Sequence, residues 1–320
     1  MSTIDTRGLD WTNLRYEPLD ERPSKVGLAD LGTPGRPGGS FSDWLAGLPP
    51  QLGARGLIRL RDAIVKARQS GSPVIAALGG HVIKTGCAPY LIDLIERRVL
   101  NGAALNGAAA IHDLELAIAG RTSEDVGPRL LAGSFGFARE TSDLFAAACD
   151  RSARSGSGLG AALGDVVIER GGPGLDSSLL VACRRNKIPV TVHVAIGADI
   201  VHMNPELDGA ALGGATLADF RALCELVAGL AGGVWLNLGS AVILPEVFLK
   251  AVSIVRNLGK SLDGLTTANL DFQQQYRGLF NVLERPGGAG IGLTGHHEIM
   301  IPLLHAAVVD TLQEIPRRTD

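Results

Sequence analysis

The rhythm of apolar positions changes along the chain. Leu57, Leu60, Ile64 and Ala67 recur at helical spacing up to Gly71, and Ser72-Pro73 then stops the helix. Beyond that point, short runs without a polar phase alternate with longer segments of helical period. Residues 74–78, 102–105, 166–168, 190–194, 234–238 and 264–267 read as strands. Residues 88–98, 113–119, 141–152, 176–186, 216–230, 245–258 and 298–312 read as helices. Thr216 with Asp219 resembles a capping box, and Pro245 suits a first helical turn. Strands that are apolar throughout are buried on both faces. The pattern therefore predicts an α/β fold, a doubly wound, mostly parallel sheet with helices on both faces.

Before this alternation, Pro18, Pro23, Pro34 and Pro37 are interspersed with Gly32, Gly35, Gly38 and Gly39 and leave little room for regular structure. Residues 1–40 are thus expected to form an irregular N-terminal arm of the kind that wraps a neighbouring subunit, and residues 41–320 a single α/β domain. A homo-oligomer, dimer or tetramer, is the expected assembly.

Composition fits this picture: hydrophobic residues make up 46% and aromatics only 4%, so Ala, Val, Leu and Ile must fill the core. A net charge of −3 with both signs interspersed, and few aromatics, argues against nucleic-acid binding. Cys87, Cys149, Cys183 and Cys224 are scattered, with no CxxC pair, which fits a reducing cytoplasm. Asp5, Arg7 and Asp10 occupy the place where a signal peptide needs an apolar run. Residues 226–245 are uncharged, but Gly229, Gly232, Gly233, Gly239, Asn237 and Pro245 make them a helix end, buried strand and turn rather than a membrane span. A cytoplasmic protein without a membrane partner is expected.

Candidate chemistry concentrates where strands give way to helices. At Ala77-Leu78-Gly79-Gly80-His81-Val82-Ile83-Lys84-Thr85-Gly86 a strand ends in two glycines and reopens as a helix. Such a turn lets backbone approach a phosphate beside a helix start, although this turn is itself neither a GxGxxG nor a Walker loop. Lys84 is either an anion ligand, a solvated lysine, or a desolvated amine able to form an imine. His112-Asp113 with Glu115 opens a helix, where acidic groups are favoured without any catalytic role. His193, Asp199 and His202 follow a strand, where Asp199 meets a ribose or a substrate cation, or caps its own loop. His296-His297-Glu298 lacks the one-turn ligand spacing of a zinc helix, so no metal is expected there. Residues 266–277 are dense in hydrogen-bonding groups suited to orienting a polar ligand. Cys87, without an identifiable base, packs as a small apolar residue.

From Phe41 onward the chain resembles the deoxyhypusine synthase family, on six short segments in the family's order. Gly80-His81-Val82-Ile83-Lys84-Thr85-Gly86 stands at its first nucleotide turn. Gly107-Ala108-Ala109-Ala110-Ile111-His112-Asp113-Leu114 stands at its Thr-Ala-Gly-Gly-Val-Glu-Glu-Asp-Leu. Arg185-Asn186-Lys187-Ile188-Pro189-Val190 is similar to its Lys-Asn-His-Ile-Pro-Val. Leu238-Gly239-Ser240-Ala241, Thr267-Ala268-Asn269 and His296-His297-Glu298-Ile299-Met300-Ile301-Pro302-Leu303-Leu304 match its later turns. The chain departs from the family in having no lysine or tryptophan between Gln273 and Thr294, where the catalytic signature belongs, and in carrying Leu244-Pro245-Glu246 in place of Lys-His-His.

The resemblance implies NAD as cofactor. It places Gly79, Gly80, His81, Thr85, Gly107, Asp199, Gly239, Ser240, Thr267, Ala268, His296 and His297 against the cofactor and His193, His202, Glu246, Asp271 and Glu298 near the substrate. Lys84, His112 and Asp113 are left to carry the reaction. The expected activity is NAD-dependent hydride abstraction from a small amine or amino-acid-like substrate through an imine, with aminoalkyl transfer or deamination to follow, and not deoxyhypusine synthesis itself. The alternatives are an NAD-dependent cyclodeaminase or lyase and a non-catalytic nucleotide-binding sensor or assembly subunit.

Overall fold

The computed structural model describes residues 9–314; residues 1–8, the first part of the expected arm, and residues 315–320 lie outside this range. Between residues 9 and 40 the regular structure consists of two 3-10 turns, Trp11–Asn13 and Leu28–Asp30. Helices Phe41–Ala46 (α1) and Leu52–Ser70 (α2) lead into strand Val74–Leu78 (β1), followed by Gly80–Lys84 (α3) and Ala88–Glu96 (α4). Strand Gly102–Asn106 (β2) passes directly into Gly107–Ala119 (α5). Next come Val126–Leu131 (α6), Arg139–Ser155 (α7), Leu159–Arg170 (α8) and Leu179–Arg185 (α9). Val190–His193 (β3) precedes Gly209–Ala228 (α10), Val234–Leu238 (β4) and Ile243–Asn257 (α11). Thr266–Asp271 (β5), a π-helix at Gly278–Glu284, Ala289–Thr294 (β6) and His297–Glu314 (α12) complete the described chain.

All six strands are parallel, in the order β3-β2-β1-β4-β5-β6. The connections therefore reverse direction between β1 and β4, the switch point where open α/β sheets bind ligands. Leu78 is in register with both Leu105 and Leu238, so the carboxyl ends of β2, β1 and β4 form one edge. Alternate strand residues enter two cores. Ala76, Leu78, Leu236 and Leu238 pack with Leu60 and Ile64 of α2 and Ile301 and Leu304 of α12. Ile75, Ala77 and Trp235 pack with Leu223 of α10 and Phe248 of α11. Trp235 and Phe248 stack with ring centroids 4.2 Å apart, a contact that adds about 1 kcal/mol to the area they bury.

Four expectations from the sequence need correction. Residues 166–168 lie inside α8, whose Leu159, Leu163, Val166 and Val167 are buried at helical spacing. Helix α10 begins at Gly209, capped by the Asp208 side chain, and not at Thr216. Asp219 is instead buried, accepting hydrogen bonds from the N–H groups of Gly160 and Val192, while the Thr216 hydroxyl donates to the Val192 carbonyl. Strand β5 runs on to Asp271, and α5 starts at Gly107 with the Asn106 side chain accepting from Ala109 N. No helix among the described residues is long and apolar enough to cross a membrane, and residues 226–245 are the end of α10, β4 and the start of α11.

Candidate active site

A cavity of about 600 Å³ opens beside the carboxyl ends of β1, β2 and β3, within the usual size range for small-molecule sites. Its wall is formed by Lys84 from the end of α3, His112 and Glu115 from α5, Arg121, Thr122 and Arg129 from the following loop and α6, and Asp199 from the loop after β3. Lys84 and Arg121 make no ion pair among the described residues. Arg129 meets Glu124 at 3.3 Å.

A directed hydrogen-bond chain stands in this wall. The Thr122 and Thr141 hydroxyls donate to the two carboxylate oxygens of Glu115, the latter at 2.9 Å. His112 Nδ1 lies 2.7 Å from the Thr122 oxygen. A hydroxyl has one proton, and that of Thr122 is committed to Glu115, so the imidazole is the donor in this contact. His112 therefore carries its hydrogen on Nδ1 and leaves Nε2 as an acceptor. Burial raises the Glu115 pKa, but the nearby His112, 3.8 Å away, and the hydrogen bonds from Thr122 and Thr141 outweigh it and hold the carboxylate below its ordinary range. A His–Thr–Glu chain of this kind orients a general base and stabilises the imidazolium that forms on it.

His112 belongs to this wall, but its neighbour Asp113 does not. Asp113 is fully buried one position along α5 and accepts hydrogen bonds from the Ser178 hydroxyl and the N–H groups of Leu179 and Leu180, capping α9. Burial pushes its pKa up to about 6 against the pull of those bonds. The catalytic role expected for Asp113 is replaced by a structural one. Lys84 is exposed on the rim. It lacks the enclosure that makes a lysine an imine-forming nucleophile and presents itself as a cation for an anionic group.

Asp199 lines the cavity and accepts from Ala195 N at 2.8 Å. Burial raises its pKa, offset in part by that bond and by His202. The His202 Nδ1 contacts the Asp199 carbonyl, and its buried Nε2 has no partner. His193 is a core residue, held neutral by burial with a pKa of about 4 and bonded to Thr191. Thr267 and Ala268 lie in the middle of β5, fully buried, away from the carboxyl edge where the shorter predicted strand would have ended. Glu246 pairs on α11 with Lys250, Arg277 and Asn281. Asp271 accepts its bond from Phe272 N, and Glu298 is partly exposed at the start of α12 beside exposed His296. Thr85 donates back to the His81 carbonyl. The Cys87 thiol is buried and raised in pKa, in keeping with simple packing.

The glycine turn also serves packing. A side chain at Gly79 would occupy the place of the Gly239 carbonyl, and one at Gly107 that of the Asp199 carboxylate. A Cβ on Gly80 would stand 3.0 Å from Ala108 Cβ and 3.2 Å from the His112 ring. These glycines let protein segments touch one another. The Ser240 hydroxyl accepts from Leu244 N. Sequence reasoning missed Thr122, Thr141, Arg121 and Arg129. Glu115, three residues from His112 on one helical face, was the only partner with a local signal.

No protein-family model and no curated protein matches the chain. Similarity emerges in three dimensions. The ternary complex of AgrE with ornithine and NAD+ superposes with a TM-score of 0.52 at 16% identity, over 81% of this chain and 33% of AgrE. A deoxyhypusine synthase-like protein from Entamoeba histolytica gives a TM-score of 0.51 at 9% identity, over 85% of this chain and 94% of its own. A LOR/SDH-type protein from Methanococcus maripaludis S2 gives 0.50 at 16%, over 82% and 71%. The fold is the deoxyhypusine synthase-like α/β fold. The chain spans about a third of the length of AgrE.

Proposed function

We propose that the protein is an NAD-dependent enzyme that acts on the amine-bearing carbon of a small amino-acid-like substrate, with deamination or lyase chemistry as the outcome. The observation that carries this is the His112–Thr122–Glu115 chain, which leaves a bare imidazole nitrogen on the wall of a cavity that also holds unpaired cations. The AgrE complex with ornithine and NAD+ supports it through shared fold.

The donor set suits a dinucleotide through charge. Lys84 and Arg121 would hold the diphosphate, and the Asp199 carboxylate a ribose hydroxyl. Bound NAD+ supplies a hydride acceptor for the carbon that carries the amine. Arg129 keeps most of its guanidinium hydrogens beyond the single Glu124 contact and would grip a substrate carboxylate. His112 Nε2 takes the proton that the substrate ammonium must lose, while Thr122 and Glu115 hold the tautomer. Aminoalkyl transfer is disfavoured because residues 273–294 contain no lysine to carry the fragment.

The test is NADH formation across a panel of amino acids and amines, ornithine included. His112→Gln should lower kcat by about 10²–10⁴-fold with NADH affinity retained. A tight NADH complex with no turnover on any member of the panel would overturn the enzyme reading in favour of a nucleotide-binding protein without a reaction.

A further inference from the structure

Outside the cavity, three elements bring two more imidazoles together at the switch point. His81 lies on α3, His297 at the start of α12, and Phe272 just beyond β5. The two Nδ1 atoms are 2.9 Å apart, and the ring centroids are 5.1 Å apart. The Phe272 ring stands 5.8 Å from that of His81 and 6.4 Å from that of His297. His297 is buried, at 1% exposure, while His81 is exposed.

The proton positions follow from the partners. His297 Nε2 is 3.2 Å from the Leu270 carbonyl oxygen, which can only accept. The Asp271 carboxylate oxygen is 3.9 Å away and accepts the Phe272 N–H instead. His297 Nε2 therefore carries the hydrogen. In a neutral ring Nδ1 is then bare, and burial holds His297 neutral. The Nδ1–Nδ1 contact needs one proton, which must come from His81. His81 consequently holds its hydrogen on Nδ1, and its exposed side presents a bare Nε2.

Two further features give this geometry a direction. Gly239 adopts φ +62°, and a Cβ there would stand 2.8 Å from the His297 ring, so the turn after β4 is shaped around that imidazole. His81 and Lys84 are three residues apart and are both exposed on α3, whereas Val82 and Ile83 between them are buried. A ligand that reaches from the cavity rim at Lys84 toward the switch point passes His81.

We propose that His297 is a positioning residue that locks the tautomer of His81, and that His81 Nε2 accepts a hydrogen bond from a hydroxyl or amide N–H of a dinucleotide lying across α3. This rests on the NAD reading above. The lock itself is a property of the protein alone.

The experiment is nitrogen-15 histidine NMR on the full chain, followed by calorimetric titration with NADH and with ADP-ribose. In the wild type, His81 Nε2 should resonate as an unprotonated nitrogen and Nδ1 as a protonated one. His81→Phe and His297→Phe should each weaken NADH binding about tenfold, the worth of one hydrogen bond. His297→Gln offers both an amide donor and a carbonyl acceptor and should restore affinity, which a general packing role would not predict. Equal losses for NADH and ADP-ribose assign the donor to the ribose or adenine side; a loss for NADH alone assigns it to the carboxamide. A protonated Nε2 on wild-type His81, or variants that bind NADH as the wild type does, would overturn the inference and leave the cofactor reading standing. A wild type that binds neither ligand overturns the cofactor reading and, with it, the ligand assigned to His81.

Discussion

The two halves of the sheet both carry polar side chains at the carboxyl edge, yet use them differently. Beside β1, β2 and β3 the groups face a cavity and keep open valences: His112 Nε2, Lys84 and Arg121. Beside β4, β5 and β6 they close on one another. Asn237 donates to Asn269, Asn269 to Gln274, and Gln274 to the carbonyls of Asn269 and Leu293. Glu246 is surrounded by Lys250, Arg277 and Asn281. The acceptors left over in this half, Asn237 Oδ1 and Thr267 Oγ1, are sealed inside it. Polar density alone therefore does not mark a site; an open valence facing a cavity does.

The hardest test of this division is Asn269→Ala. Asn269 is 1% exposed, links Asn237 to Gln274, and is packed on Gly278. Its loss leaves an Asn237 N–H and the Gln274 amide oxygen without their partner and opens a void, at a cost of about 4 kcal/mol. Denaturant unfolding should show that loss while NADH affinity, measured well below the melting transition, stays within about twofold of wild type. Undiminished stability with lost NADH affinity would move the closed half into the site.

This contrast also explains what the sequence made legible. Strands β1 to β4 were readable to within a residue because unbroken apolar runs end at glycine, proline or a polar turn. The buried face of α8 misled because Val166, Val167 and Ile168 form a short apolar run, which a helix and a strand share. Strand β6 escaped because Ala-Gly-Ile-Gly-Leu-Thr places only Ile291 and Leu293 inward and fills the alternate positions with glycine. In the site, His112 was legible but Thr122 and Thr141 were not, since their approach to Glu115 depends on how the loop after α5 folds back. Asp113 looked like its neighbour in sequence, yet one step along a helix turns a side chain by about 100°, enough to send it to α9.

His193 sharpens the comparison from within the core. Its pKa falls from 6.5 in the unfolded chain to about 4 in the folded one, through burial. A depressed folded value means that its contribution is fully present above the unfolded pKa and lost as pH falls toward the folded one. That contribution amounts to about 3 kcal/mol. Asp113 and Asp219 act in the opposite sense: their values are raised from 3.8 to about 6 and about 7, so their contributions are fully present below the unfolded value and are lost as pH rises to the folded ones. The stability gap between wild type and His193→Gln isolates the histidine and should shrink by about 3 kcal/mol between pH 7 and pH 4. A gap independent of pH would show that the ring takes up its proton in the folded state as readily as in the unfolded chain, against its place in the core.

Glu246→Gln probes the rim of the closed half, where the smallest effect is expected. Lys250 first, and then Arg277, hold the Glu246 carboxyl below its ordinary value, so the pairing is present at neutral pH and fades as pH falls through that lowered value. All three side chains are more than a third exposed. Water and salt therefore screen the attraction, and the change in unfolding free energy should be about 0.5 kcal/mol and vanish in molar salt. Turnover and NADH affinity should not move, because the carboxylate is committed to its own helix and the π-helix beside it. A rise in KM without a loss of stability would instead make Glu246 the substrate ligand that the family resemblance implied, and the second half of the sheet would then share in binding.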